Sequence, residues 1–161
     1  LPYTVNTNGV LLDEEILTKL IKYKATNLSI SLDGFSDIHD LTAEARLCVE
    51  KSGISNGQAL FFVVGSTAGM TTVEFEPGLV KDLKELFERI APRAAAYHHE
   101  EAWHDGNGFS HVRASLLKPS LIVPIVDGSM TLGTWQQVVL VDFDNTPRER
   151  EVVLQITGEA T

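Results

Sequence analysis

The chain has 161 residues, 43% apolar and 22% charged, with a formal net charge of −9. These values suit one globular domain with a real core and exclude a disordered chain. No apolar run approaches the ~18 residues of a membrane span. The acid excess opposes binding to nucleic acid or to anionic membranes, which draws on Lys and Arg.

Cys48 is the single cysteine. It can form no internal disulfide and cannot make a thiolate cluster alone. The N-terminal LPYTVNTNG lacks a basic region and a hydrophobic signal core, so a cytoplasmic protein is expected. It also lacks an initiator Met, so a fragment or a processed chain is expected.

In chain order, Leu11–Tyr23 places Leu12, Ile16, Leu17, Leu20 and Ile21 on one helical face, with Asp13 as its cap. Asn27–Leu32 alternates and predicts a half-buried strand, with a turn at Asp33–Gly34. Leu41–Ser52 predicts a helix, capped by Asp40 or Thr42 and ended by Gly53. Gly57 is expected to close a turn before a central strand, Gln58–Val64. A small, polar stretch follows, then an alternating one, and Pro77–Gly78 break the pattern. Leu79–Ile90 predicts a helix whose buried side holds Leu79, Leu83, Leu86, Phe87 and Ile90, ended by Pro92.

The segment YHHEEAWHDGNGFSH, Tyr97 to His111, reads as a loop, and His111–Leu117 as a short helix. Four strands are expected at Ser120–Val126, Met130–Leu132, Trp135–Phe143 and Glu151–Thr157. Their turns fall at Asp127–Gly128, Gly133–Thr134 and Asn145–Pro147, a spacing that favours antiparallel pairing. The fold class is therefore α+β, strand-rich in its second half.

Four constellations can carry chemistry. His98, His99, His104 and His111 lie within one short segment beside Glu100, Glu101 and Asp105, and imidazole is the commonest transition-metal ligand. The spacing matches no zinc signature, and a polar surface loop is the other reading. In TTVEFEP, an extended strand would put Thr72, Glu74 and Glu76 on one face, a cation site or a merely solvated face. GSTAG, Gly65 to Gly69, can cradle a phosphate on backbone N–H groups but is not a P-loop. LGTWQ, Leu132 to Gln136, is either a core element around Trp135 or a set of ligand contacts.

Taken together, these pieces carry a resemblance. SLIVPIVDGSMTLGTWQQVVLVDFD, Ser120 to Asp144, closely resembles the C-terminal signature of the YjbQ family, described as secondary thiamine-phosphate synthase enzymes. DIHDLTAEARLCVEKSGISNG, STAG, EFEPGLVKDL, YHHE and NGFSH precede it in the family's order, so the likeness spans about residues 27–158. It implies a compact domain with an antiparallel, barrel-like sheet and flanking helices, over residues 27–161, assembled as a homotrimer. Residues 1–26 would then be a helical extension.

The resemblance puts the Tyr-x-His element on Tyr97 and His99, and Asn…His on Asn107 and His111. It puts acidic positions near Glu74 and Glu76, and Gly-Thr-Trp-Gln on Gly133, Thr134, Trp135 and Gln136. Many members have a histidine where this chain has Gly65, which leaves His99 and His111 of a three-histidine set. The implied reaction joins hydroxymethylpyrimidine diphosphate to thiazole phosphate, with a small phosphorylated metabolite as partner. His99, His111, Asn107 and Glu74 would be catalytic. Ser66, Thr67, Thr134, Trp135 and Gln136 would bind substrate. His99, His111, Glu74 and Glu76 would hold a divalent metal, Mg²⁺ or Zn²⁺. The other expectation is a non-catalytic trimer that binds a metal or an anion.

The first part of the chain, YTVNTNGVLLDEEILTKLIKYKATNLSISLDG, resembles a βα unit of radical S-adenosylmethionine enzymes. The three-cysteine motif of those enzymes is absent, so no iron–sulfur cluster is expected.

Overall fold

The computed structural model describes residues 27–34 and 38–160. The expected helix Leu11–Tyr23, and the extension it belongs to, lie outside them. Eight strands and four helices occur among the described residues: β1 Asn27–Gly34, β2 Ile38–Asp40, α1 Thr42–Ser52, β3 Ile54–Val64, β4 Ala68–Val73, α2 Pro77–Ile90, α3 Glu100–Trp103, α4 Gly108–Leu117, β5 Ser120–Val126, β6 Ser129–Met130, β7 Gln137–Asp142 and β8 Arg148–Ala160. They form a five-stranded sheet, β1-β8-β3-β5-β6, and a three-stranded sheet, β2-β7-β4. All pairings are antiparallel, and the curled arrangement is the half-barrel α+β fold expected.

The strand β7 explains the layering. Its sequence, QVVLVD, is apolar between its ends, so neither face suits water. Val138 and Leu140 enter one core, built with Phe61, Val63, Met70, Val123, Ile125, Val152 and Leu154. Val139 and Val141 enter a second, with Ile38, Phe87, Ala114 and Phe143. The small sheet is thus a middle layer, with the large sheet on one side and α2 and α4 on the other. Helix α1 adds Ala45 and Val49 to the first core.

Several boundaries differ from expectation, each for a local reason. Gly57 lies inside β3, not in a turn, because β8 passes so close that a Cβ there would meet the Thr157 carbonyl oxygen at 2.1 Å. Pro77–Gly78 open α2 instead of breaking the chain: proline's missing N–H costs nothing in a first turn, and Glu76 caps the helix. The packed seam of α2 is Val80, Leu83 and Phe87, while Leu86 and Ile90 are exposed. Helix α4 starts at Gly108, three residues before His111, and the histidine loop contains the one-turn α3. The hairpin strand expected at Met130–Leu132 is Ser129–Met130. Its turn is Asp127–Gly128, with φ of 49° and 74°, the signature of a tight hairpin. Strand β7 starts at Gln137, not Trp135, because Gln136 Oε1 accepts from Gly133 N–H (3.1 Å) and holds a turn there.

Leu140 is fully buried and Leu86 is 39% exposed. Leu140→Ala is expected to cost about 2–5 kcal/mol and Leu86→Ala under about 1 kcal/mol, read from urea midpoints at neutral pH.

Candidate functional site around His99, Asn107 and His111

Helix geometry divides the first two turns of α4. Asn107, just before the helix, and His111 are four residues apart and share one side. Phe109 and Arg113, also four apart, share another. Glu100 fixes the approach to this helix. Its Oε2 accepts from Gly106 N–H (2.6 Å) and its Oε1 from Gly108 N–H (2.8 Å). Asp105 Oδ1 accepts from Asn107 N–H (3.1 Å), and Asn145 Nδ2 donates to the Asp105 carbonyl (2.8 Å). Gly108 is required because Tyr97 packs on its backbone, where a Cβ would sit 2.5 Å from Tyr97 Cβ. The Tyr97 hydroxyl donates to the Pro92 carbonyl (2.8 Å), so this tyrosine anchors the loop.

These anchors bring two of the predicted histidines together. The His99 and His111 rings have centroids 4.4 Å apart, tilted by 41°. His99 Nε2 is buried without a hydrogen-bond partner, and so is Asn107 Oδ1. Asp105 Oδ1 lies 3.6 Å from His99 Nε2, an ion-pair distance but beyond a hydrogen bond. His98 points elsewhere: 99% exposed, its Nδ1 lies 2.7 Å from Glu101 Oε1. His104 is exposed and ends α3 in the left-handed region.

The other predicted residues are placed as follows. Glu74 and Glu76 are not on a strand, since β4 ends at Val73. Glu74 is exposed. Both oxygens of Glu76 cap α2, accepting from the N–H groups of Gly78 and Leu79. Ser66 is exposed, and Thr67 is buried with its hydroxyl used internally. Thr134 is exposed, and Trp135 is 70% exposed and so is not core. Gln136 Nε2 donates to Thr72 Oγ1 (2.8 Å). Among the described residues, no three His, Cys, Asp or Glu side chains gather as a metal-ligating group.

Sequence reasoning missed a buried ionic network beside Thr67. Arg150 donates from Nε and Nη2 to Asp142 (2.8 and 2.6 Å), and from Nη2 to Thr67 Oγ1 (2.8 Å) and Asp144 Oδ2 (3.2 Å). Thr67 Oγ1 donates to Asp144 Oδ2 (2.7 Å), and Arg148 pairs with the same oxygen (3.1 Å). Burial alone would raise the Asp144 carboxyl. Hydrogen bonds from Thr67, Thr146 and Arg148 outweigh it and hold the group well below the usual carboxylate range. For Arg150, burial works against the charge, and Asp142 and Asp144 more than restore it. The only sequence signal was the odd placement of two acids in the apolar run VVLVDFD. The network also bears on Gly65. Its φ is +147°, and a Cβ there would lie 3.1 Å from Arg150 Nη1, so the guanidinium occupies the space a side chain would need.

Two outcomes follow from this network. Arg150→Met leaves two buried carboxylates without their main partner and is expected to cost about 3–5 kcal/mol in urea unfolding. The second concerns pH. A depressed carboxyl stabilises the fold above its unfolded value, near pH 4, and that contribution is lost as pH falls. The stability gap between the parent chain and Asp144→Asn should therefore be full at pH 7 and shrink below about pH 4.

The comparisons with known proteins agree with this architecture. The family model "UPF0047 protein YjbQ-like" matches residues 26–159. A UPF0047 protein of Archaeoglobus fulgidus is 34% identical over 119 residues, covering 74% of this chain and 90% of that protein. One of Methanothermobacter thermautotrophicus is 36% identical over 123 residues, covering 76% and 84%. Among solved structures, a Sulfolobus solfataricus protein described as YbjQ-like and of unknown function has a TM-score of 0.76 at 31% identity, covering 83% of this chain and 95% of that one. A family member from Clostridium acetobutylicum has a TM-score of 0.73 at 33% identity, covering 80% and 98%. The chain belongs to the YjbQ/UPF0047 family.

Proposed function

We propose that the His99–Asn107–His111 cluster is a small-ligand site that takes a divalent cation and, with it, a small phosphorylated metabolite. The observation that carries this reading is the pair of buried atoms without partners, His99 Nε2 and Asn107 Oδ1. Leaving such groups unmade costs about 1–3 kcal/mol each, so a site that keeps them invites a ligand. An amide oxygen can only accept. With the proton on Nδ1, His99 Nε2 accepts as well, and the Asp105 carboxylate lies beside it. Three acceptors suit a cation or a donor-bearing ligand.

One chain offers two imidazoles here, too few to complete a tetrahedral or octahedral shell. The remaining ligands would come from substrate, water or a neighbouring copy. A homotrimer suits this need, with Glu74 on an exposed stretch available to a neighbour. The outer face of the large sheet supports association, because Phe62, Val64, Ile122 and Val126 are 41–55% exposed there.

The reaction we assign is the thiamine-phosphate-forming transfer that the family resemblance implies. It forms a C–N bond to the thiazole nitrogen and breaks the C–O bond to diphosphate, which leaves as pyrophosphate. The bound cation would supply neutralisation of the leaving diphosphate. His111 and His99 would hold and move protons at the leaving oxygens, and Asn107 would orient the substrate. Ser66, Thr134, Trp135 and Gln136 are candidates for substrate contact. Thr67 and Glu76 act there only indirectly, by holding Asp144 and α2. A cytoplasmic setting suits such a metabolite.

The second reading is a non-catalytic trimer that binds metal or anion through the same cluster, completing its ligands from neighbouring copies, since no three metal-ligating side chains gather among the described residues. Untagged protein should carry about one Zn²⁺ or Mg²⁺ per chain by elemental analysis, lost in His99→Ala. It should form thiamine phosphate from both substrates, at least about 100-fold faster than His111→Ala. Metal without product leaves the binding reading, and neither metal nor product overturns both.

A further inference from the structure

We propose that Glu100 is a positioning residue for the histidine cluster: it caps α4 in place of Asn107 and so keeps Asn107 Oδ1 open to a ligand. The inference rests on the reading of His99, Asn107 and His111 as a cation site.

An asparagine just before a helix ordinarily spends its side-chain oxygen on first-turn N–H groups, which have no partner within the helix. Asn107 holds that place before α4, yet its side chain makes no capping bond. Its Oδ1 is instead buried without a partner, in a residue only 3% exposed. The acceptor at the start of α4 comes from the one-turn helix α3. Glu100 Oε1 takes the Gly108 N–H (2.8 Å), the first of the helix, and Oε2 takes the Gly106 N–H (2.6 Å). A carboxylate suits this place, because the helix dipole favours negative charge there. Gly108 lets it in: a Cβ at that position would lie 3.1 Å from Glu100 Oε1.

The same carboxylate ties the two imidazoles together. His99 directly precedes Glu100, and its carbonyl accepts from the N–H groups of Ala102 and Trp103 (both 3.2 Å), so His99 and Glu100 belong to one turn. His111 rides on α4. The bond from Glu100 to Gly108 therefore joins the turn that bears His99 to the helix that bears His111, and the two rings lie 4.4 Å apart. Both carboxylate bonds run to backbone N–H groups, so Glu100 acts on the site through the main chain. Its neighbour Glu101 is engaged elsewhere, with Oε1 2.7 Å from Nδ1 of the exposed His98.

Two readouts on the full chain test the assignment: Zn²⁺ affinity by calorimetry, and the through-space NMR contact between the His99 and His111 rings in the metal-free protein. Glu100→Gln sets an amide N–H against a backbone N–H, so one of the two bonds is lost. Zn²⁺ affinity should fall at least about tenfold and the ring contact should disappear. A merely stabilising Glu100 would lower the urea midpoint and leave both readouts unmoved. Glu101→Gln removes the same charge from α3 and should bind Zn²⁺ within about twofold of the parent. Glu100→Asp keeps the charge but is one methylene short, so it should fall between, and it carries the test if circular dichroism shows Glu100→Gln unfolded. The proposal is overturned if a folded Glu100 variant keeps the ring contact or binds Zn²⁺ as the parent does, or if Glu101→Gln weakens binding equally. A parent that binds no Zn²⁺ overturns the cation reading instead, and the ring contact alone then decides the role of Glu100.

Discussion

The buried guanidinium of Arg150 is the tie on which the layers depend. It sits on β8 of the large sheet and bonds Asp142 at the end of β7 in the small one. It also meets Thr67 at the head of β4 and Asp144 just beyond β7. A charge this deep is tolerable only when its N–H groups are met by well-placed acceptors. Its geometry therefore fixes how the two sheets meet. The Thr67 carbonyl extends the tie, since it accepts from Phe143 N–H. From Phe143 the chain of contacts reaches the site helix, whose Ser110 hydroxyl donates to the Phe143 carbonyl (2.6 Å).

That path explains why the histidine cluster stands where it does. Ser110 lies between Asn107 and His111 and is fully buried. Seating it on Phe143, just beyond β7, sets the rotation of α4, which points Asn107 and His111 one way and Phe109 and Arg113 the other. Glu100 and Tyr97 then hold the preceding loop against the same helix. Within this frame His99 Nε2 and Asn107 Oδ1 are buried without a hydrogen-bond partner.

Much of the fold was legible in the sequence because apolar period and turn chemistry act locally. The strand near Gln58–Val64, the hairpin at Asp127–Gly128 and the apolar run before Asp142 all follow from alternation or from Asp-Gly. Pro77 misled because proline reads both as a breaker and as a first-turn residue. Glu76 settles which, and its capping role is visible only with Gly78 and Leu79 in place. The sequence leaves Trp135 open between core and ligand contact, and the structure removes the core alternative, since a turn held by Gln136 leaves it 70% exposed.

The site was legible in part. The family resemblance singled out His99 over His98 and marked Asn107 and His111, while the local pattern reads Asn107 as loop and so misses the helical turn that joins it to His111. The pairing of His99 with His111 depends on a long-range fold contact, which no local pattern encodes. Arg150 was invisible for the same reason, as its partners are eight and six residues away on a different sheet or beyond its end. Gly65 gains a physical meaning from it: its φ of +147° favours glycine, and a Cβ there would crowd the Arg150 guanidinium at 3.1 Å.

The proposed cation site turns on His99 Nε2, which is buried without a hydrogen-bond partner. Nitrogen-resolved NMR of the imidazole side chains, recorded while Zn²⁺ is titrated into the full chain, reads that atom directly. The Nε2 resonance of His99 is expected to move first and saturate, with His111 following and the exposed His98 and His104 unmoved. Movement confined to His98 and His104, or no saturable change at His99, would contradict it.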